Sequence, residues 1–144
     1  MEVVLDSNVF FRTLISHGEI IKLLFNPKLK IFSPYKLKEE FLKNKKEVLK
    51  KSKLSESEFN ELTTLLFNNI TFIHLDEYKQ FLPKAKSILN KHTKDEDFIA
   101  LCLLKNTKLW TYESLFFKLN FAISTKEISK KISSNKIIQH KYSL

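Results

Sequence analysis

The chain sets a carboxylate and an amide two residues apart, Asp6 and Asn8, directly behind the apolar run Val3-Val4-Leu5. Further acids recur near the ends of later segments: Glu39 and Glu40, then Asp95, Glu96 and Asp97, then Glu113 behind Leu109-Trp110-Thr111-Tyr112. Hard divalent cations such as Mg2+ take oxygen ligands in octahedral geometry and keep several waters, so two or three carboxylates from different elements suffice to hold one. Without a cation, acids gathered that closely raise one another's pKa. Such a site hydrolyses phosphodiesters: the cation activates a water and offsets the charge developing on the phosphate, and a second cation assists the leaving oxygen.

Asp6 leads the set, because an acid behind three buried apolar residues otherwise only caps a loop or helix. Asn8 is read as orienting Asp6 or contacting the phosphate, although a loop-stabilising amide fits the same position. Ser7 is a weaker supporting group. Glu40 precedes Phe41 and Leu42, near an apolar helix face, and is preferred over Glu39, which reads as an exposed helix charge. Asp95, Glu96 and Asp97 crowd an expected helix N-terminus, where the helix dipole alone favours acids by about 0.3–1 kcal/mol each. Not all three need be ligands; Asp95 is the first choice and Asp97 the second. Glu113 is the fourth acid.

The elements that must position these groups alternate. Val3 to Leu5, Leu29 to Phe32, Thr71 to Leu75, Lys108 to Thr111 and Phe121 to Ser124 read as short strands. Helices are expected over His17 to Phe25, from Ser33-Pro34 (Ser as N-cap, Pro at the first helical position) to about Lys51, and from a capping box Ser55-x-x-Glu58. Others are expected over Glu77 to Lys91 behind a capping Asp76, Lys94 to Lys105, Ser114 to Leu119, and Thr125, as cap, through Lys131. Strands separated by helices predict an α/β fold with a central, mostly parallel sheet of four to five strands. Ligands in such sheets bind outside the carboxyl ends of the strands, where Asp6 and Glu113 fall.

Composition narrows the class. The 144 residues fit one domain, residues 1–144, and 43% hydrophobic residues with 13 Phe supply a core. The single cysteine, Cys102, rules out an internal disulfide and reads as a small core residue. No apolar run approaches the ~20 residues that span a bilayer. The N-terminus enters a strand without a basic leader, so a cytoplasmic protein is expected. A net charge of +9 points to nucleic acid as partner, with base composition as the competing cause, since Arg12 is the one arginine among 25 Lys and Arg. The basic run Lys43 to Lys53 serves equally as a solvated helix face or a phosphate grip. Gly18 is the one glycine, so no glycine-rich phosphate loop exists, and neither zinc spacing nor a nucleophile elbow occurs.

Four motifs in order, Val-Val-Leu-Asp-Ser-Asn-Val, Ser-Pro-x5-Glu-Phe, Asp-x-Asp-Phe-Ile-Ala-Leu-Cys-Leu and Leu-Trp-Thr-x-Glu, resemble those of a PIN domain. The resemblance spans about residues 1–125. It implies a Rossmann-like α/β/α sandwich and a Mg2+- or Mn2+-dependent ribonuclease, many of which are VapC-type toxins of toxin–antitoxin pairs. Position by position, Asp6, Glu40, Asp95 and Glu113 take the places of the family acids. Asn8 takes the place of the polar residue after the first acid, and Ser7 and Thr111 stand beside the acids as supporting groups. Glu113 departs from the usual Asp by one methylene. RNA, a cognate antitoxin and a second copy in a homodimer are the partners implied.

Three functions compete on this reading. The leading one is a metal-dependent endoribonuclease leaving a 3′-hydroxyl. A PIN-like RNA-binding or partner-binding module with impaired catalysis is the second, and a DNA-directed nuclease with the same site is the third.

Overall fold

The computed structural model describes the backbone of residues 1–142 and the side chains through residue 134. Five strands form one all-parallel sheet: β1 (Glu2–Leu5), β2 (Lys30–Pro34), β3 (Thr71–Ile73), β4 (Lys108–Trp110) and β5 (Ala122–Ile123), in the order β3-β2-β1-β4-β5. The chain builds outward from β1 through β2 to β3, then crosses to the other side of β1 for β4 and β5. The strand order therefore switches between β1 and β4, where α/β sheets open a crevice at their carboxyl edge.

Helices cover the sheet. One layer holds α1 (Ser7–Ser16), α3 (Lys36–Ser52) and α4 (Glu56–Asn68). Its contents are aromatic: Phe10 stacks on Phe67 at 5.1 Å between centroids and meets Phe41 edge-on at 5.8 Å. Phe10, Phe41, Phe59, Phe98 and Phe116 are buried core residues, whereas Phe25 and Phe117 are exposed. The other layer centres on α7 (Glu96–Lys105), flanked by α5 (Leu75–Tyr78) and α6 (Leu82–Leu89). Phe98 through Cys102 are buried consecutively, because α7 lies against β1, β2 and β4 on one side and beneath α5 and α6 on the other. Short α2 (Glu19–Leu24) and α8 (Ser114–Lys118), and the final α9 (Thr125–Tyr142), complete the fold. No helix among the described residues is long and apolar enough to cross a membrane.

Several boundaries depart from the sequence expectation. The helix expected over His17 to Phe25 is the shorter α2, and an unexpected helix, α1, precedes it from Ser7 with Asp6 as its N-cap. Its Val, Phe and Thr residues favour helix weakly, but Val9, Phe10, Thr13 and Leu14 fall on one buried face, and packing on α3 decides. Ser33 caps no helix. It lies within β2, where its hydroxyl donates to the Leu5 carbonyl at 3.0 Å, and Pro34 ends the strand.

The helix expected over Glu77 to Lys91 breaks into α5, a 3-10 turn at Lys79–Phe81, and α6. Pro83 stands in the first turn of α6, where its missing N–H costs nothing; farther inside a helix it would break one. Asp76 lies within α5 and caps nothing. A second 3-10 turn, Thr93–Asp95, precedes α7. The cap before α9 is Ser124, paired reciprocally with Glu127, and Thr125 instead accepts a hydrogen bond from the Trp110 indole at 2.9 Å. The Ser55–Glu58 capping box forms as expected.

Candidate active site

Asp6 leaves β1 and turns at once into α1. Its backbone N–H continues the ladder to the Trp110 carbonyl at 3.0 Å. Oδ1 accepts the Ser7 N–H at 2.8 Å and Oδ2 accepts the Thr111 hydroxyl at 2.7 Å. Thr111 Oγ1 in turn accepts the Asn8 side-chain amide at 3.3 Å and the Glu113 N–H at 3.0 Å. The Asn8 carbonyl oxygen accepts the Tyr112 N–H at 3.4 Å. The segments behind β1 and β4 are thus joined by a small polar network, and Thr111 is its hub. Asn8 fastens one loop to the other.

These segments form one wall of a cleft of about 510 Å3 at the carboxyl edge of the sheet. Asp6, Glu40, Asp95 and Glu113 all line it, contributed by β1's end, α3, the turn before α7 and the segment behind β4. Of the expected groups, Ser7 and Asn8 also line it, while Thr111 lies buried behind Asp6. Glu39 is exposed and does not line the cleft.

Asp97 does not line the cleft: it accepts the Tyr78 hydroxyl at 2.6 Å and lies 3.9 Å from the Lys36 ammonium. Burial and the Asp97 carboxylate push the Tyr78 hydroxyl up, so it remains a donor.

The acids sense one another. Burial, reinforced by Asp95 and Glu40, pushes the Asp6 carboxyl up to about 7 against the opposing Thr111 and Ser7 hydrogen bonds. Asp95 is raised too, by burial and then by Glu113 and Glu40, with Lys94 and Lys36 opposing. A cation in the cleft would relieve this repulsion.

The donor set suits a hard cation. All candidate ligands are oxygens, and the buried Ser7 hydroxyl beside Asp6 has no hydrogen-bond partner. No three acids, histidines or cysteines stand at ligating distance among the described residues. Mg2+ asks less than that, binding through one or two carboxylates and keeping its waters. Asp6 and Asp95, both lining the cleft, are the carboxylates that could hold such a cation.

The same cleft is lined by Lys36, Asn44 and Lys94, which the sequence reading does not single out, and by Lys43, which it holds only as the start of a basic run read equally as a solvated face or a phosphate grip. Helical spacing from Glu40 would have found three of them: residues 36, 40, 43 and 44 form one stripe of α3. Lys36 donates to the Lys94 carbonyl, and the charges of both lysines act on Asp95 from different elements.

The wider comparison decides the family. A PIN domain family model matches residues 4–133. The chain belongs to the PIN domain family. PIN domains are generally nucleases and typically use divalent metals. The match covers every acid in the cleft of this PIN domain, from Asp6 to Glu113. No curated protein matches the chain.

Proposed function

We propose that this PIN domain is a Mg2+- or Mn2+-dependent endoribonuclease. The observation that carries the reading is the convergence of four carboxylates from four separate segments on one cleft whose rim holds Lys36, Lys43 and Lys94. The lysines draw in the phosphate backbone and offset its charge at the acids. Asp6 and Asp95 are assigned to the cation, with Glu40 and Glu113 completing the acidic ring. When bound, the cation supplies positive charge at the scissile phosphate and acidifies a water. Thr111 and Ser7 N–H keep the Asp6 carboxylate in one orientation, and Asn8 fixes the loop that carries Glu113. The toxin role, a cognate antitoxin and a homodimer follow from the family analogy, and copurification of a neighbouring gene product tests the pairing.

The decisive experiment compares parent and Asp6→Asn protein on RNA and on DNA with Mn2+ or Mg2+. Loss of RNA cleavage in the variant supports the reading; equal cleavage by both places the activity elsewhere. Cleavage of DNA in preference to RNA at equal salt would make the substrate DNA. A second reading, an RNA-binding module with impaired catalysis, is favoured by the absence of three acids at ligating distance among the described residues and by Glu113 in the family's Asp position. Salt-sensitive RNA binding without saturable Mn2+ binding would select it.

A further inference from the structure

The acid cleft does not end at Asn8. Through Asn8, Phe11 and Asn44 it opens into a neighbouring groove of about 620 Å3 between α1 and α3. That volume lies within the roughly 300–1,000 Å3 of small-molecule sites.

One end of the groove carries an unusual pair. Arg12, the chain's one arginine, sets its guanidinium carbon 5.9 Å from the centre of the Tyr112 ring. Arg12 forms no ion pair among the described residues, and Tyr112 is 44% exposed. The backbone that carries the ring is tied down, because Asn8 accepts the Tyr112 N–H. It sits between Thr111, which holds Asp6, and Glu113, which lines the cleft.

A planar guanidinium over an aromatic ring is a surface for stacking flat groups, which a lysine ammonium cannot provide. Ile15 and Val48 give the groove an apolar floor. Its one acid, Glu47, is ion-paired to Lys51 at 2.9 Å and so presents little repulsion to a phosphate.

We propose that this groove is a nucleotide subsite in which Tyr112 and Arg12 hold one base of a single-stranded RNA next to the scissile phosphate. The proposal rests on the ribonuclease reading and names a part of its substrate contact. It predicts that a base is unstacked and seated on one side of the cut, so single-stranded RNA is preferred over duplex.

The test uses the full chain carrying Asp6→Asn, so that RNA is bound without cleavage, and a short single-stranded RNA with one 2-aminopurine. Binding should quench the fluorophore when it occupies the seated position. Tyr112→Ala should weaken binding on the order of tenfold, the usual cost of losing one base–aromatic stack, and abolish the quench. Tyr112→Phe should retain both. Arg12→Lys keeps the charge but loses the plane, and should bind nearly as weakly as Arg12→Met. Both side chains are exposed, and unchanged thermal melting confirms that the variants fold.

If the Asp6→Asn protein binds RNA but Tyr112→Ala leaves affinity and quench intact, the subsite is overturned while the ribonuclease reading stands. Parental affinity in Arg12→Lys overturns the stacking role of Arg12. If the parent neither binds nor cuts RNA, the ribonuclease reading itself fails and the subsite with it.

Discussion

Thr111 Oγ1 donates to Asp6 Oδ2 at 2.7 Å, joining residues 105 positions apart at the point where the strand order switches between β1 and β4. The same oxygen accepts from Asn8 and from the Glu113 N–H. Thr111→Val keeps the shape and removes the hub. The buried Asp6 carboxylate then loses its one side-chain donor, and a lost hydrogen bond to a charged group costs about 1.5–3 kcal/mol. RNA cleavage should fall at least tenfold, and Mn2+ should bind more weakly by calorimetry, since groups that orient a metal ligand typically contribute 10–100-fold. Parental cleavage and parental Mn2+ affinity would show that Asp6 needs no orienting partner.

Burial makes Asp6 a sensor of pH. Its carboxyl is pushed from an ordinary 3.8 up to about 7 in the folded protein. Between about pH 4 and 7 the folded state therefore holds a proton that the unfolded chain has released, and stability falls as pH rises. Above about 7 both states are ionised and the full penalty is present, on the order of a few kcal/mol. Urea melts of metal-free protein should show the midpoint dropping from about pH 5 to 8. Asp6→Asn should flatten most of that slope, with Asp95, shifted in the same direction, leaving a remainder. Mn2+ should restore the midpoint most at the alkaline end, because it binds only the folded protein. An undiminished slope in Asp6→Asn would assign the titration to another group.

Asp97 has a different employment from the other acids. It bridges the Tyr78 hydroxyl and the Lys36 ammonium, and Lys36 is among the cations lining the cleft. The arrangement predicts that Asp97 positions Lys36. Asp97→Asn and Tyr78→Phe should raise KM for RNA, as should Lys36→Met, while Mn2+ affinity stays at the parental level. A fall in Mn2+ affinity in Asp97→Asn that Tyr78→Phe does not share would make Asp97 a ligand after all.

What the sequence disclosed follows from the range of each signal. Strand β1 followed by Asp6 is a local pattern, and an apolar run ending in an acid reads the same alone or folded. Glu40, preferred over Glu39 in the sequence for its place before Phe41, is the one of the two that lines the cleft. Helix α1 was hidden because its residues favour helix weakly and its stability comes from α3, which lies far along the chain. Ser33-Pro34 carries the form of a helix start, yet the Ser33 hydroxyl is taken by Leu5 across the sheet, a contact that no local pattern encodes. Lys36 stands outside the basic run Lys43 to Lys53, and only the helical register of α3 sets it on the same stripe as Glu40 and Lys43.

Thr125 illustrates the same limit and carries the last prediction. Local pattern makes it a helix cap, but Ser124 and Glu127 form the cap, and the Thr125 hydroxyl instead accepts the indole N–H of the fully buried Trp110 at 2.9 Å. The two neighbours should therefore fail differently. Ser124→Ala removes a cap and should cost about 1 kcal/mol, with little change around the indole. Thr125→Val leaves the Trp110 N–H buried without an acceptor and should cost about 1–3 kcal/mol. Trp110 is the chain's one tryptophan, so its emission reports both unfolding and its own surroundings. The emission maximum of the native protein should move in Thr125→Val and stay fixed in Ser124→Ala. Because the Trp110 carbonyl also accepts the Asp6 N–H, a displaced Trp110 should carry into the cleft, and Thr125→Val alone of the two should weaken Mn2+ binding. Equal effects of both substitutions on emission and Mn2+ affinity would show that only α9 had been loosened.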